Sequence, residues 1–439
     1  MLEMLIAGLV LQQPSPSNAQ PQTATSAAAA AIAAAAAPAD CVRALQAFVG
    51  KRQQEVRPPE GFTAQLLRQV ETERAALAKT CIGRFPEDQL PAMQLGGLSE
   101  LYTQAGDPER ARAVLTRAMA APLPPADRSR VLATAINVTL TEPKGDERNA
   151  RLEKMIDELD AIKDAPFDQM FLAHRRLLGY YRGDDIDAGI IKHATWIASA
   201  AKAFAPADRQ KYGRDVLMAQ IDMAEALAGQ AQNDEALALL RRAGKEWSDL
   251  PGADRYVAPA IERYSLVGTA APPIVAPRWL NAPSDMKEMP MDGAVTLLEF
   301  TAHWCGPCRE SYPGVNRLRA KYGPQGFRVA MATRLYGYFG AEQNLAADAE
   351  IAKDKTYFAE HELGDIPVAI GGKIDIKVTN GKVEYIPAKD PNDVAYRVGG
   401  IPQIMLIDKK GKIRLIMVGY DDVNEPRLAK MIEDLLKEK

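Results

Sequence analysis

The sequence predicts two kinds of fold in one multidomain chain: an all-α, helical N-terminal region and an α/β C-terminal domain. Three observations carry that reading. From Asp40 to about Tyr264 apolar residues recur at helical spacing, with no convincing strand. A segment holding Pro272, Pro273, Pro277 and Pro283 then ends the helical part. Beyond it, short β-type runs alternate with helical ones, and a Cys-x-x-Cys sits at one strand-to-helix junction. The expected division is therefore 1–39, a signal-like segment and Ala-rich linker; 40–267, the helical domain; 268–283, a Pro-rich linker; and 284–439, the α/β domain.

With 439 residues the chain has room for two or three domains. Its formal net charge is −3. That balance gives no basic excess for nucleic acid, so no nucleic-acid partner is expected, and no block of like charge marks a tail.

Met4 to Leu11 is a short apolar run, too short to span a bilayer. Ser17-Asn18-Ala19 follows as a small-residue cleavage site, although Glu3 stands where positive charge is usual. An atypical export signal is the expectation, with an unstructured tail as the alternative. Thr23 to Ala39 contains Ala27–Ala31 and Ala33–Ala37. Side chains that small cannot interlock, so a linker or frayed helix is expected.

Cys41 and Cys81 flank two helical stretches separated by Arg57-Pro58-Pro59-Glu60-Gly61. An antiparallel helix pair returns its end close to its start, which is the geometry a disulfide needs. In an exported chain the two should be bonded; otherwise they are buried, unpaired thiols. Two isolated cysteines do not complete a zinc ribbon with the Cys-x-x-Cys.

In Gln94 to Leu115, Leu95, Leu98 and Tyr102 share a helical face, Gly106-Asp107 ends that helix, and Pro108 suits the first turn of the next. The unit resembles a tetratricopeptide repeat, and Ala219 to Trp247 echoes it around Gly229–Asn233. Between the two the period is lost, which leaves a helical-repeat-like domain or a plain helical bundle.

In the C-terminal part, Val295–Phe300 reads as a buried strand and Arg309–Tyr322 as a helix. Trp304-Cys305-Gly306-Pro307-Cys308 lies between them. This puts Cys305 at a helix N-terminus, where free N–H groups and the helix dipole favour a thiolate. Phe327–Ala332 reads as a strand, Asn344–Leu363 as a helix and Ile366–Ile370 as a short strand. Ile374–Ile386 carries Asn380-Gly381 between alternating apolar residues, a strong hairpin signal.

These motifs resemble the thioredoxin superfamily over roughly Pro272 to Lys439. Glu299-Phe300-Thr301-Ala302-His303-Trp304-Cys305-Gly306-Pro307-Cys308 is similar to its active-site pattern. Gly399-Gly400-Ile401-Pro402-Gln403 through Asp408 is similar to its cis-proline strand. Lys409–Ile413 is similar to its hairpin turn, Val418-Gly419-Tyr420 to the end of its last strand, and Glu425–Lys439 to its closing helix. Ala271–Pro277 resembles the start of the TlpA-like and redoxin-like branches. Minimal thioredoxins have no counterpart of the Ile374–Ile386 hairpin, which is therefore an insertion.

The resemblance implies the roles. Cys305 should be the exposed attacking thiolate and Cys308 the buried thiol that resolves the mixed disulfide. Glu299 should be a buried acid beneath them, its pKa raised, serving as proton acceptor; the alternative is an outward-facing strand residue. Pro402 should be cis, bringing a backbone edge beside the nucleophile. Trp304, Gly306, Pro307 and Ile401 complete the substrate-binding surface, with Trp304 shielding the disulfide or serving as a core aromatic. The apolar Ile401 and the Gly306-Pro307 spacer point to a reducing dithiol. His303 occupies a variable, usually exposed position and should exert at most a modest electrostatic effect. His174, His193 and His361 show no ligand spacing.

The implied activity is a thiol-disulfide oxidoreductase that reduces protein disulfides. No cofactor and no metal are expected. Disulfide-bearing proteins and an external thiol electron donor, such as a membrane thiol relay, are the expected partners. The expected compartment is periplasmic or extracellular. Two alternatives are a peroxide-reducing redoxin, which Cys305-Gly306-Pro307-Cys308 fits poorly, and a helical adaptor using the fold as a binding module, which need not keep both thiols.

Overall fold

The computed structural model describes residues 23–56, 64–183, 186–373, 375–379, 382–386, 390–420 and 425–438. The signal-like segment, the turn Arg57–Gly61 and the turn Asn380-Gly381 lie outside the described residues. Contacts group the chain into two compact units, Met1–Met170 and Phe171–Lys439. The division falls inside a helix, whereas the change in composition comes later, at 268–283.

The first unit is helical: α1 (Ala24–Ala34), α2 (Pro38–Val56), α3 (Ala64–Ile82), α4 (Ala92–Gln104), α5 (Pro108–Ala120), α6 (Pro125–Thr139), α7 (Asp146–Asp160) and the start of α8 (Phe167–Gly183). Of the two expectations for the Ala-rich stretch, a linker or a frayed helix, a helix forms, but it is packed rather than frayed. Ala24, Ala28 and Ile32, four residues apart on one face of α1, are buried. Ala24 and Ala28 meet Phe48 and Val70, while Ile32 joins Leu45, Leu95 and Leu98. Small side chains do not interlock, but they let a helix lie close against larger neighbours. Thr23 caps α1, and Glu55 accepts a 2.6 Å bond from the Ala24 N–H.

Cys41 on α2 and Cys81 on α3 are joined as a disulfide, Cα atoms 6.2 Å apart, in the core between α2, α3 and α4. Arg52 and Glu73 clasp the same two helices through two bonds of 2.7 and 2.9 Å. At the α4–α5 turn Gly106 takes a positive φ of 81°, and Asp107 caps α5 through the Arg110 N–H at 3.0 Å.

The second unit begins with the rest of α8, then α9 (Asp187–Ala200), α10 (Pro206–Gly229), α11 (Asn233–Glu246) and α12 (Asp254–Tyr264). His174 and His193, expected to be incidental, face each other at 2.9 Å between Nδ1 atoms, so one donates and the other accepts. Trp196 stacks on the first ring and Tyr181 on the second.

The rest of this unit is α/β: β1 (Ile274–Val275), β2 (Arg278–Leu280), β3 (Glu288–Met289), β4 (Val295–Phe300), α13 (Gly306–Tyr322), β5 (Phe327–Leu335), β6 (Tyr338–Phe339), β7 (Glu342–Gln343), α14 (Ala347–Glu360), β8 (Val368–Lys373), β9 (Asp375–Thr379), β10 (Lys382–Ile386), α15 (Pro391–Ala395), β11 (Gln403–Ile407), β12 (Ile413–Val418) and α16 (Glu425–Lys437). Six strands form one sheet in the order β12-β11-β4-β5-β8-β2. β4, β5 and β8 are parallel, which requires the crossover helices α13 and α14; β11, β12 and β2 are antiparallel to their neighbours. β4 is buried along its whole length, as a central strand covered on both faces must be. The inserted hairpin forms, β9 pairing β10 with Thr379 opposite Lys382.

Residues 268–271 are tied to the sheet rather than free: Gly268 and Ala271 donate to the carbonyls of Ile413 and Gly411, each at 2.7 Å. Arg263 of α12, buried, pairs with Glu225 at 3.0 Å and donates to the Arg397 carbonyl at 3.2 Å. Gly399 makes room for it, since a Cβ there would lie 1.8 Å from the guanidinium. Arg427 of α16 reaches Asp187 at 2.7 Å and the Gly229 carbonyl at 2.8 Å. Thus α9, α10 and α12 are held directly to the α/β elements. No helix among the described residues is long and apolar enough to cross a membrane.

Candidate active site

The site lies where β4 ends and α13 begins. Cys305 is the N-cap of α13, and Pro307 occupies its first turn, where a missing N–H costs nothing. Cys305 and Cys308 form a disulfide, Cα atoms 5.3 Å apart. The Cys308 N–H donates to Cys305 Sγ at 3.2 Å. When the bond opens, that donor and the helix dipole both favour negative charge on Cys305.

Across from the disulfide the Ile401–Pro402 bond is cis, and Cys305 Sγ lies 3.7 Å from the Ile401 carbonyl oxygen. Cys305 was expected to be exposed. In this disulfide state it is buried, 3% exposed, and Cys308 is fully buried. Folding Sγ back onto Cys308 and against the Ile401 backbone covers it.

Glu299 is fully buried in the penultimate position of β4, so the outward-facing alternative is excluded. Burial pushes its carboxyl up to about 8, with a bond from Ser311 opposing the shift. Ser311 Oγ stands 3.0 Å from Glu299 Oε1 and 2.7 Å from the Cys308 carbonyl oxygen. Ser311 belongs to the site although no motif marks it; its signal is its place three residues after Cys308, on the same helical face.

Trp304 departs from the core-aromatic alternative. It is 47% exposed and meets Tyr336 edge-on at 5.4 Å. Together with Phe300, Tyr336, Tyr338 and Ile401 it lines a cavity of about 630 Å³. Arg334 and Asp393 pair at 3.0 Å in its wall, and burial raises the Asp393 carboxyl to about 6. A second cleft, of about 290 Å³, opens beside Pro307 and Pro402. It is lined from the helical side by Arg182, Asp187, Asp222 and Glu225. Burial lifts Asp222 to about 7 against the pull of Arg182. Neither Asp393 nor Asp222 is legible in the sequence, because their ion-pair partners, Arg334 and Arg182, lie 59 and 40 positions away.

His303 is the clearest departure from expectation. Rather than exposed, it is 7% exposed, flanked by the rings of Tyr336, Tyr338 and Phe339.

A parallel β4–β5 pair, an antiparallel β11–β12 pair, a dithiol capping the helix after β4 and a cis-proline opening β11 now stand together. The C-terminal part is a thioredoxin fold. No protein-family model matches the chain, and no curated protein matches it. Solved structures do. One described as the thiol:disulfide interchange protein DsbE of Chlorobium tepidum is 25% identical, covers 39% of this chain and 97% of its own, and has a TM-score of 0.28. A thioredoxin-like superfamily protein is 22% identical over the same shares, TM-score 0.28. The thioredoxin domain of a Bacteroides vulgatus thiol-disulfide oxidoreductase is 17% identical, covers 38% and 97%, and has a TM-score of 0.27. In this thioredoxin fold the disulfide, the cis-proline and the buried acid converge; Cys41 and Cys81 belong to the other compact unit.

Proposed function

We propose that this chain is a thiol-disulfide oxidoreductase that reduces disulfides of partner proteins. The observation that carries the reading is the Cys305–Cys308 pair capping α13 opposite the cis-proline. In the reduced enzyme the Cys305 thiolate attacks one sulfur of a substrate disulfide. A mixed disulfide forms, and the other substrate sulfur leaves as a thiolate that takes a proton. Cys308 then loses its proton and attacks Cys305 Sγ, releasing the second substrate thiol and closing the Cys305–Cys308 bond. Two electrons and two protons pass to the substrate. An external dithiol returns both, and a membrane thiol relay would suit an exported enzyme.

Glu299 is the acceptor for the Cys308 proton, with Ser311 between the carboxyl and the Cys308 backbone. The aromatic cavity beside Trp304 is suited to an apolar side chain next to the substrate cysteine, while the cis-proline segment offers a backbone edge to an extended chain.

The test is reduction of insulin disulfides by the purified protein with excess dithiol, compared with Cys305→Ser. Turnover by wild type and background rates in the variant are expected. Equal rates in both would remove the dithiol from the reaction.

A further inference from the structure

Two residues before Cys305, the structure gathers three buried ionisable side chains that the thiol chemistry does not use. His303 comes from the loop after β4; Glu350 and Asp354 come from one face of α14, four residues apart. All three are buried, and one candidate ligand atom from each lies within 4.8 Å of the others. We propose that His303, Glu350 and Asp354 form a binding site for one divalent transition-metal ion of the zinc or manganese class.

Three observations support the site. The first is hydrogen bonding. His303 Nδ1 approaches Asp354 Oδ1 to 3.2 Å without hydrogen-bond alignment, so both ring nitrogens, like Asp354 Oδ2, lack a hydrogen-bond partner among the described residues. Buried polar atoms are rarely left this way, and a ligand is one cause. The second is charge. Glu350 and Asp354 place two formal carboxylate charges side by side in a buried position. Lys353, on the same helix, is engaged with Glu342, and Arg334 with Asp393. A divalent cation with a neutral imidazole brings the buried group to zero, which burial strongly favours.

The third is orientation. Glu350 accepts the Tyr336 and Gly337 N–H groups at 2.6 and 2.7 Å, one on each oxygen. These bonds hold the carboxylate as metal sites hold their ligands from behind, and each oxygen keeps a lone pair free. One nitrogen and two carboxylate donors suit zinc or manganese, leaving positions for water. The ligands are spread from 303 to 354, so no short spacing motif announces them, and the expectation of no metal rested on such motifs. An ion there would tie the loop that carries Cys305 to α14.

The test uses the full-length oxidised protein, whose thiols are all engaged in disulfides, after removal of metals by a chelator. Titration with zinc or manganese followed calorimetrically is expected to give one ion per chain, with affinity falling at least tenfold in Asp354→Asn and in Glu350→Gln. Cobalt provides a readout that needs no variant: visible d–d bands without thiolate charge-transfer absorption are expected. No saturable binding of any of these ions, equal affinity in wild type and both variants, or a thiolate charge-transfer band would each overturn the proposal.

Discussion

Ser311 Oγ lies 3.0 Å from Glu299 Oε1 while also lying 2.7 Å from the Cys308 carbonyl oxygen. A hydroxyl has one proton and cannot donate to both. If Glu299 is a carboxylate, one acceptor goes without. If Glu299 is protonated on Oε1, it donates to Ser311 and Ser311 donates to the carbonyl, while Oε2 has no partner among the described residues in either state. The geometry thus agrees with the carboxyl raised to about 8 by burial. With the Cys305–Cys308 bond closed, this is the state left after Glu299 has accepted the Cys308 proton.

Replacing Glu299 with Gln is expected to slow insulin reduction on the order of tenfold to a hundredfold, within the usual range for a lost acid–base group. Formation of the mixed disulfide should change little, because the residue lost is a proton acceptor rather than a substrate contact. Stopped-flow measurement of the two steps checks this. Equal slowing of both would assign Glu299 a purely structural role.

Stability should register the same group. The folded protein holds the Glu299 proton up to about pH 8, whereas an unshifted carboxyl releases it near 4.5. Between those values the unfolded chain binds fewer protons, so stability falls as pH rises, by at most about 1.4 kcal/mol per unit from this group. Below pH 4.5 its contribution is fully present. Glu299→Gln removes the slope, and its melting temperature relative to wild type should climb steadily from pH 5 to 8. Parallel curves for the two proteins would contradict the raised carboxyl.

How much of this was legible beforehand depends on how local each feature is. The β4–α13 junction carries its own signals within ten residues, Glu299 to Cys308, and Val295–Phe300 forms the strand the sequence predicts. Gly106, Asp107 and Pro108 likewise mark the turn and helix start that the structure contains. What was missed depends on distant partners. His303 is enclosed by residues 33 to 51 positions later. The α1 helix looked like filler because Ala24 and Ala28 acquire meaning only against Phe48 and Val70. Cys305 is buried in part by the Ile401 backbone, which comes from 96 positions later in the chain, so its covering has no local signal.

Trp304 gives a substrate-side prediction. Half exposed at the rim of the aromatic cavity, it offers a large apolar face at little ordering cost. Trp304→Ala is expected to raise KM roughly three- to tenfold for peptides with an aromatic residue beside the disulfide, the loss of about 1 kcal/mol of contact, with kcat nearly unchanged. Peptides with glycine at that position should show little difference. An equal KM rise for both peptides would mean the cavity does not read that side chain.

Cys308 can be tested by trapping. In Cys308→Ser the first attack proceeds, but nothing resolves the mixed disulfide. Adducts with disulfide-bearing proteins should accumulate through Cys305 and disappear in the double variant with Cys305→Ser. Their absence, with protein that remains folded, would count against the two-step route.

The last prediction concerns Cys41 and Cys81. Both are buried in the core between α2, α3 and α4, with Cα atoms 6.2 Å apart, inside the range a disulfide spans. The bond closes a separation of 40 residues, and in the chain-entropy model that stabilises by on the order of 4 kcal/mol. Such a bond persists in an oxidising compartment and not in a reducing one, so it reports on export as well as on stability. Peptide mapping without reductant, on protein recovered from its native compartment, is expected to yield a linked Cys41–Cys81 peptide. Cys41→Ala/Cys81→Ala should melt roughly 8 to 16 °C lower, given about 2 to 4 °C per kcal/mol for a unit of this size. It should still reduce insulin, because neither residue belongs to the thioredoxin fold. Two freely alkylated thiols would remove the bond and the argument for export together, and a double variant as stable as wild type would show that the bond, though present, contributes nothing.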